Sequence, residues 1–151
     1  MNFTPQMDAP SKNRSKNYES ITKYMVSDLI TFRPEDEIGH VINTLLEKKI
    51  SGAPVLNDKR ELVGIISEQD CLRVILDSVY HNQPLSKGLV KDYMTLDPVT
   101  VDVSEDIVDV AIKFLNNKFR RFPVVEKGKL RGQVSKRDIL RAAKTINATT
   151  W

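Results

Sequence analysis

The sequence predicts an α/β fold made of two copies of one small unit, on two observations. The first is an internal repeat: the dipeptide Tyr-Met at 24–25 recurs at 93–94, and Pro-Val at 54–55 recurs at 123–124, both 69 residues later. The second is that short β-branched runs alternate with stretches of helical apolar period in both copies. Because both dipeptides recur at the same spacing, the sequence indicates a duplicated unit. The alternation of strand-like and helix-like stretches favours helices that cover small mixed sheets.

The first repeat begins with three predicted elements. Residues 18–24 predict a short lead-in helix, and residues 29–32 predict a short strand. A longer helix follows Pro34, which suits a first helical turn, and the carboxylates after it favour the positive end of the helix dipole. The apolar residues of this helix recur at i, i+3, i+4, i+7 and i+8, as in an amphipathic helix: Ile38, Val41, Ile42, Leu45 and Leu46.

Two strands and a capped helix complete the repeat. After a Ser-Gly break, residues 53–56 predict a strand, 57–60 a turn and 62–66 a second strand. Ser67 is a favoured helix N-cap and starts the last helix. That helix is expected to bury an apolar stripe: Cys71, Val74, Ile75 and Val79.

The second repeat predicts the same order of elements. Its two helices are expected to bury the equivalent stripes: Ile107, Val110, Ala111, Phe114 and Leu115, then Ile139, Ala142, Ala143 and Ile146. We therefore expect a first domain at 18–79, a linker at 80–89 and a second domain at 90–146. Residues 1–17 are polar and predict a flexible N-terminal tail, and residues 147–151 predict a short C-terminal tail.

Each repeat carries the pattern Gly-x-x-Ser-x-x-Asp where its last strand meets its last helix, at 64–70 and 132–138. Glycine lets another group approach the strand backbone. The serine hydroxyl and the free N–H groups of the first helical turn suit an anion, and the Asp carboxylate suits two neighbouring sugar hydroxyls. The same pattern is also a capping box, which only starts a helix. Two copies in one context favour a ribose phosphate site, and the capping interpretation stays open.

Composition and charge narrow the class of protein. The chain is 40% hydrophobic and 28% charged, as soluble globular domains are, and no apolar stretch approaches the roughly 20 residues that span a membrane. The N-terminus lacks a signal-peptide pattern and there is one cysteine, so we expect a cytoplasmic protein. Residues 22–78 hold seven Lys/Arg and ten Asp/Glu, whereas residues 88–146 hold twelve and eight. The second repeat is therefore the better candidate for binding a charged anion.

The doubled motifs resemble those of a pair of cystathionine beta-synthase (CBS) domains, often called a Bateman module, over about residues 20–146. The resemblance implies two pseudo-symmetric repeats packed through their small sheets, with ligand clefts between them. It implies a regulatory sensor of adenosine-containing ligands, namely AMP, ADP, ATP or S-adenosylmethionine, with no required cofactor. It further implies a homodimer, because paired CBS domains commonly associate through their helices as antiparallel discs, and an effector protein of unknown identity.

The resemblance also implies the ligand-binding residues. The acid of each motif, Asp70 or Asp138, would hold the ribose diol, and its serine, Ser67 or Ser135, would reach phosphate or ribose. The base pocket would be lined by the strand after each Tyr-Met and by the chain around each central proline: Ile30, Thr31, Val99, Thr100, Gly52, Ala53, Pro54, Arg121, Phe122 and Pro123.

Basic side chains distinguish the second repeat. Arg120 and Arg121 stand just ahead of Pro123, where phosphate-sensing relatives such as the regulatory gamma subunit of AMP-activated protein kinase carry basic residues. Arginine presents a planar fork of donors that suits phosphate. Lys136 and Arg137 add charge in the first turn of the last helix, facing either phosphate or solvent. The resemblance implies clefts between the domains, so these arginines would serve a ligand anchored by either Asp70 or Asp138, and the sequence leaves open which of the two. We expect at least one site to bind a phosphorylated adenosine ligand, while the other takes a less charged ligand or stays empty.

An enzyme is the first alternative, and the residue pattern argues against it. His40 and His81 stand apart from each other and from Cys71, which lies on an apolar helix stripe as a buried structural thiol does. No spacing predicts a zinc site, and the carboxylates at 35–37 fit the helix dipole better than acid–base chemistry. We therefore expect no catalytic residues and no metal.

Two further alternatives stay open. The sequence pI of about 9.0 permits nucleic-acid binding, although no strand interleaves aromatic and basic residues; a gel shift that weakens steeply with salt would reveal it. A pure assembly module would dimerise without binding a small ligand. The pattern assigns no function to Lys12, Arg14 and Lys16 of the tail or to Trp151.

Overall fold

The structure is a computed structural model that describes residues 18–84 and 87–150, the last four without their side chains. The predicted N-terminal tail at 1–17 and Trp151 lie outside the described residues. No helix among the described residues has the length and apolar character needed to cross a bilayer.

The described chain forms two compact units. The first-repeat unit contains residues 29–98 with 127–130, and the second-repeat unit contains residues 18–28, 99–126 and 131–150. From the sequence duplication, we expected the lead-in segment of each repeat, which precedes its first strand, to belong to the same domain as that strand. The compact units instead divide the chain just after each lead-in segment, so each of these segments packs with the other repeat. The predicted boundaries at 18–79 and 90–146 describe the sequence duplication and stay a prediction.

In the first-repeat unit, a two-stranded antiparallel sheet is followed by a long capped helix. Its elements are α1 (Ile38–Lys48), β1 (Gly52–Leu56), β2 (Leu62–Ser67), α2 (Glu68–His81) and α3 (Val90–Tyr93). The helix that Ser67 was predicted to start is confirmed as α2. It extends to His81 and ends at Asn82, which adopts the left-handed conformation typical of a helix end.

The strand predicted at 29–32 is reduced to one bridge. Phe32 pairs in parallel with Val55, its N–H donates to Pro54 O at 3.0 Å, and its carbonyl accepts from Leu56 N at 2.8 Å. Because the turn before α1 follows at once, the chain leaves the sheet after a single residue. The edge of β1 therefore gains a short parallel contact rather than a third strand.

The second-repeat unit has a three-stranded sheet in the order β3-β4-β5, with β3 parallel to β4. Its elements are a 3₁₀ turn (Ile21–Lys23), β3 (Val101–Asp102), α4 (Ile107–Asn116), β4 (Arg121–Glu126), β5 (Lys129–Ser135) and α5 (Lys136–Thr150). The lead-in helix predicted at 18–24 is thus shorter than expected. Helix α5 runs four residues beyond the predicted domain end at 146.

Each unit has its own apolar core. The first-repeat core gathers about Phe32, Val41 and Ile66, and the second-repeat core about Phe122, Val124 and Val134, all nearly or fully inaccessible to solvent. Four helical residues predicted to be buried are instead exposed: Leu46, Ile75, Val79 and Leu115. The reason is geometric, because each helix packs into its core with one side only and the predicted stripes are wider than that side.

Candidate functional site

Ser67 and Asp70 form a capping box at the start of α2. Ser67 N donates to Asp70 Oδ2 at 2.9 Å, and Asp70 N donates to Ser67 Oγ at 3.3 Å. The Ser67 hydroxyl also donates to Asp70 Oδ2 at 2.9 Å. The capping interpretation of the sequence motif therefore holds in this structure, and Oδ2 is committed to starting the helix.

The other oxygen of Asp70 faces two further donors. Arg73 Nη1 donates to Asp70 Oδ1 at 3.3 Å from one turn along the helix, and Thr95 Oγ1 donates to it at 3.5 Å, a long hydrogen bond. Asp70 is only 2% exposed. A buried carboxylate needs such partners, because leaving its oxygens unpaired would cost several kilocalories per mole.

The second-repeat unit repeats this arrangement with fewer contacts. Ser135 N donates to Asp138 Oδ2 at 2.8 Å, and Asp138 N donates to Ser135 Oγ at 3.2 Å. Arg141 Nη1 donates to Asp138 Oδ1 at 2.9 Å. Asp138 is 8% exposed and the Arg141 side chain is 72% exposed. Arg141 therefore reaches the buried Asp138 carboxylate from the solvent side, where screening by water weakens the ion pair.

The glycine of each motif leaves room for another segment of the chain to pack against its strand. A Cβ on Gly132 would lie 2.6 Å from Met25 Sδ and 2.7 Å from Val26 O, and a Cβ on Gly64 would meet Met94 and Thr95 in the same way. The close approach inferred from the sequence is therefore made by the methionine of each Tyr-Met and the residue that follows it. That segment joins the strand by reciprocal hydrogen bonds, Val26 N to Gln133 O and Gln133 N to Val26 O, both at 2.8 Å.

The predicted basic residues gather at the start of α5. Lys136 N donates to Arg120 O at 3.3 Å, which places the end of the α4–β4 loop beside the first helical turn. Arg120, Arg121, Lys136 and Arg137 are all exposed. Among the described residues, none of these four side chains forms an ion pair or a hydrogen bond. Within the described part of the second-repeat unit, no ion pair neutralises their positive charges.

The residues expected around the base fall into two groups. The residues after each Tyr-Met segment are accessible: Ile30 and Thr100 are half-buried, while Thr31 and Val99 are exposed. The residues at each central proline are mostly in strands: Gly52, Ala53 and Pro54 in β1, and Arg121, Phe122 and Pro123 in β4. The side chains of Ala53, Pro54, Phe122 and Pro123 are buried. These four can offer a ligand only their backbone.

Three kinds of residue near the motifs were not expected from the sequence. Thr95 and the pair Arg73 and Arg141 contact the motif acids directly. Lys113 Nζ donates to Thr100 O at 2.7 Å and pairs with Glu105, so it holds the predicted base-pocket segment. The arginines could have been found from the repeat, because each follows its motif acid by three residues. The contact of Thr95 with Asp70 could not have been found from a local pattern, because the two residues lie 25 positions apart in the sequence.

Other reactive groups are not members of the two motifs. Burial raises the pKa of the Cys71 thiol, with the Asp70 and Glu68 charges adding to the effect, which disfavours the reactive thiolate. His40 contacts the Phe32 ring edge-on, with centroids 5.7 Å apart. A cavity of about 210 Å³ lies at the far end of α2, lined by Val74, His81 and Tyr93 among others. Among the described residues, no cluster of three His, Cys, Asp or Glu side chains could hold a metal ion.

Comparison with known proteins finds relatives that match most of this chain. The MJ1225 protein of Methanocaldococcus jannaschii is 33% identical over 123 residues, which cover 82% of this chain and 42% of that protein. The inosine-5'-monophosphate dehydrogenase of Aquifex aeolicus is 30% identical over 145 residues, covering 92% of this chain and 28% of the enzyme. This chain therefore spans less than half of either relative.

A third relative has been solved with a ligand. CBSX2, a chloroplastic CBS domain-containing protein of Arabidopsis thaliana, is 31% identical over 160 residues, covering 84% of this chain and 66% of CBSX2. The crystal structure of CBSX2 in complex with AMP has a TM-score of 0.73 at 32% identity, covering 85% of this chain and 98% of that chain. The CBS domain family matches this sequence twice, at 21–77 and 90–145. The chain thus belongs to the CBS domain family, as a tandem pair.

Proposed function

We propose that this CBS pair is a non-catalytic regulatory module that binds an adenosine-containing ligand and passes the signal to a partner protein. The observation that carries the proposal is the doubled Ser–Asp helix start, with each acid buried beside a first helical turn. The likeness to CBSX2, solved with AMP, supports an adenosine ligand. AMP, ADP, ATP and S-adenosylmethionine are the candidates, and we expect the module to act in the cytoplasm.

The proposed binding chemistry follows from the two ends of the ligand. A ribose diol would donate to the free acceptor positions of the motif acid, and a phosphate would face the first-turn N–H groups of the helix. The adenine would lie against backbone rather than side chains at the central prolines. The proposed ligand-binding set is the one predicted from sequence: Ile30, Thr31, Gly52, Ala53, Pro54, Ser67, Asp70, Val99, Thr100, Arg120, Arg121, Phe122, Pro123, Ser135, Lys136, Arg137 and Asp138.

A thermal-shift panel tests this function directly. A ligand present at 100 times its Kd stabilises the folded state by about 2.7 kcal/mol, so at least one of AMP, ADP, ATP and S-adenosylmethionine is expected to raise the melting temperature. GMP and CMP, measured at the same concentrations, control for non-specific phosphate binding. A melting temperature unmoved by all four adenosine compounds would leave only an assembly role.

Regulation rather than catalysis is favoured by what the residues can do. Cys71 is a buried thiol whose pKa is raised, and His40 and His81 lie on separate helices. The dehydrogenase relative matches this chain over 28% of its own length. The activity of that enzyme is therefore not transferred to this chain.

A homodimer is the second part of the proposal, and an exposed apolar stripe on α2 supports it. We define the α2 stripe as Leu72, Ile75, Leu76, Val79 and Tyr80, which are between 42% and 80% exposed. These positions follow the helical period and face away from the core, and an apolar face of this kind is typical of an interface. Exposed leucines also recur at matched positions of both repeats, at 46 and 115 and at 72 and 140. A second copy offers the same duplicated surface and so suits an isologous contact.

Substituting the stripe tests the dimer. Val79→Glu places a charge at a position that is 73% exposed in the single chain, so the fold should tolerate it. We expect sedimentation velocity to show a dimer for the parent protein and at least a tenfold larger dissociation constant for Val79→Glu, because a buried carboxylate at an interface is costly. Lys59→Glu, in the exposed β1–β2 turn, is the control. An equal effect of both substitutions would assign the change to net charge.

A further inference from the structure

We propose that the cavity at the C-terminal end of α2 binds a small organic cation, which carries an ammonium group on an apolar body about the size of one ring. The cavity lies in the first-repeat unit and is lined by residues of α2, of α3 and of the chain that joins them. None of its lining residues belongs to the proposed nucleotide-binding set. The site is therefore independent of the adenosine ligand, and it takes a ligand of different chemistry.

The volume of the cavity sets the size of this ligand. An enclosed cavity of about 150 Å³ can hold one benzene ring, and sites for drug-sized ligands begin at about 300 Å³. At about 210 Å³, the cavity beside α2 has room for one ring and a short polar branch. A nucleotide, with its base, sugar and phosphate, is too large for it.

Part of the lining is apolar and closely packed. Val74 is 3% exposed and belongs to the first-repeat core, and Pro84 and the half-buried Tyr93 also line the cavity. Gly88 packs against two of these residues, since a Cβ added to it would lie 3.1 Å from Tyr93 Cε2 and 3.5 Å from Val74 Cγ1. Such a surface favours an apolar ligand body, because binding removes both from water.

Asp77 supplies a carboxylate with an oxygen left for the ligand. Tyr93 Oη donates to Asp77 Oδ2 at 3.0 Å. Burial and this hydrogen bond raise the pKa of Tyr93, so the phenol keeps its proton and stays the donor. Within the described chain, the Asp77 carboxylate accepts no other hydrogen bond, although a carboxylate offers about four lone-pair sites. An ammonium group can therefore donate to Oδ1 in a charge-assisted hydrogen bond.

The charge around the cavity favours a cation over an anion. Among the described residues, no lysine or arginine lines it. It also lies at the last turn of α2, where the carbonyls of a helix carry partial negative charge. The N–H groups of Asn82 and Gln83 both donate to Ser78 O, so no backbone N–H of the described chain reaches the carbonyls at 79–81.

The lining suits an organic cation better than a metal ion. No group of three His, Cys, Asp or Glu side chains is close enough to hold a metal in the part of the chain that the structure describes. His81 and Gln83 line the cavity and form no side-chain hydrogen bond with other described residues. The amide oxygen of Gln83 can thus accept a second proton from the ammonium group.

Titration of the full chain with benzylammonium, followed by NMR of its backbone amides, tests the site. Benzylammonium matches the cavity in size and charge, and benzyl alcohol is its neutral counterpart. We expect benzylammonium to cause saturable shifts at the amides of Ser78, Gly88 and Tyr93. Benzyl alcohol is expected to bind about tenfold more weakly or worse, because it lacks the charge that Asp77 recognises.

Matched variants locate the binding. Asp77→Asn keeps the shape of an exposed side chain and is expected to weaken benzylammonium about tenfold or more. Asp92→Asn, which removes an exposed carboxylate of α3 outside the lining, should change the affinity less than about twofold. Ser78→Leu fills the cavity while leaving Asp77 in place and should abolish binding of both probes.

Two results would overturn the proposal. Equal affinities of the parent protein for benzylammonium and benzyl alcohol would show an apolar hollow that does not select a cation, and this comparison needs no variant. Shifts that fail to saturate, or that persist unchanged in Ser78→Leu, would show that the cavity is not a binding site.

Discussion

Phe122→Ala is expected to lower the free energy of unfolding by about 3–5 kcal/mol, the usual cost of truncating a buried phenylalanine. Phe122 is 1% exposed in the second-repeat core, and its ring lies 4.4 Å from that of Phe114, centroid to centroid. The substitution removes this contact and leaves a cavity that the strand around it cannot close. For a chain of this size the melting temperature should fall by about 6–20 °C.

Chemical denaturation followed by circular dichroism measures this change, and Phe119→Ala is its control. Phe119→Ala removes the same phenyl ring, but Phe119 is 49% exposed. Its ring contacts that of Phe122 edge-on, with centroids 6.0 Å apart. We expect it to cost about 1 kcal/mol or less. Equal losses for the two variants would mean that the ring of Phe122 is not a core group. Phe122→Leu should keep most of the stability, because leucine fills much of the same space in the core.

Gly132→Ala is expected to destabilise the protein by about 1–3 kcal/mol, as overpacking does. The new Cβ would lie 2.7 Å from the backbone carbonyl of Val26. Backbone cannot move aside as a flexible side chain can. Relief therefore requires breaking the two hydrogen bonds between Val26 and Gln133, which would detach the lead-in segment from its strand.

Hydrogen exchange at the Val26 and Gln133 amides, together with a melting curve, measures the effect of Gly132→Ala. Gly39→Ala is the control, because Gly39 is the second residue of α1, where a helical backbone favours alanine over glycine. We expect the control to keep or raise the melting temperature. Unchanged exchange in Gly132→Ala would contradict the close packing of the lead-in segment.

Helix starts were the most predictable part of the fold, because they depend on local chemistry. Ser67 begins α2 as its cap, and the Ser135 motif stands at the start of α5, as the pattern Ser-x-x-Asp indicated. Burial on the helices was less predictable. Leu45 is buried and Leu46 is 73% exposed, although both fit the same apolar stripe. Successive residues point about 100° apart around a helix, and only the side of α1 that carries Leu45 meets the core.

The sequence by itself determined the duplication, the order of the elements and the chemistry of the two helix starts, since each is a property of neighbouring residues. Only the tertiary structure decided which segment fills the space beside each motif glycine. It also decided that Thr95 pairs with Ile65 and contacts Asp70 through its hydroxyl, whereas the matching residue Val26 pairs with Gln133 and has no hydroxyl. Two motifs identical in pattern thereby differ in their free hydrogen-bonding capacity, because that capacity depends on residues that folding brings from elsewhere in the chain.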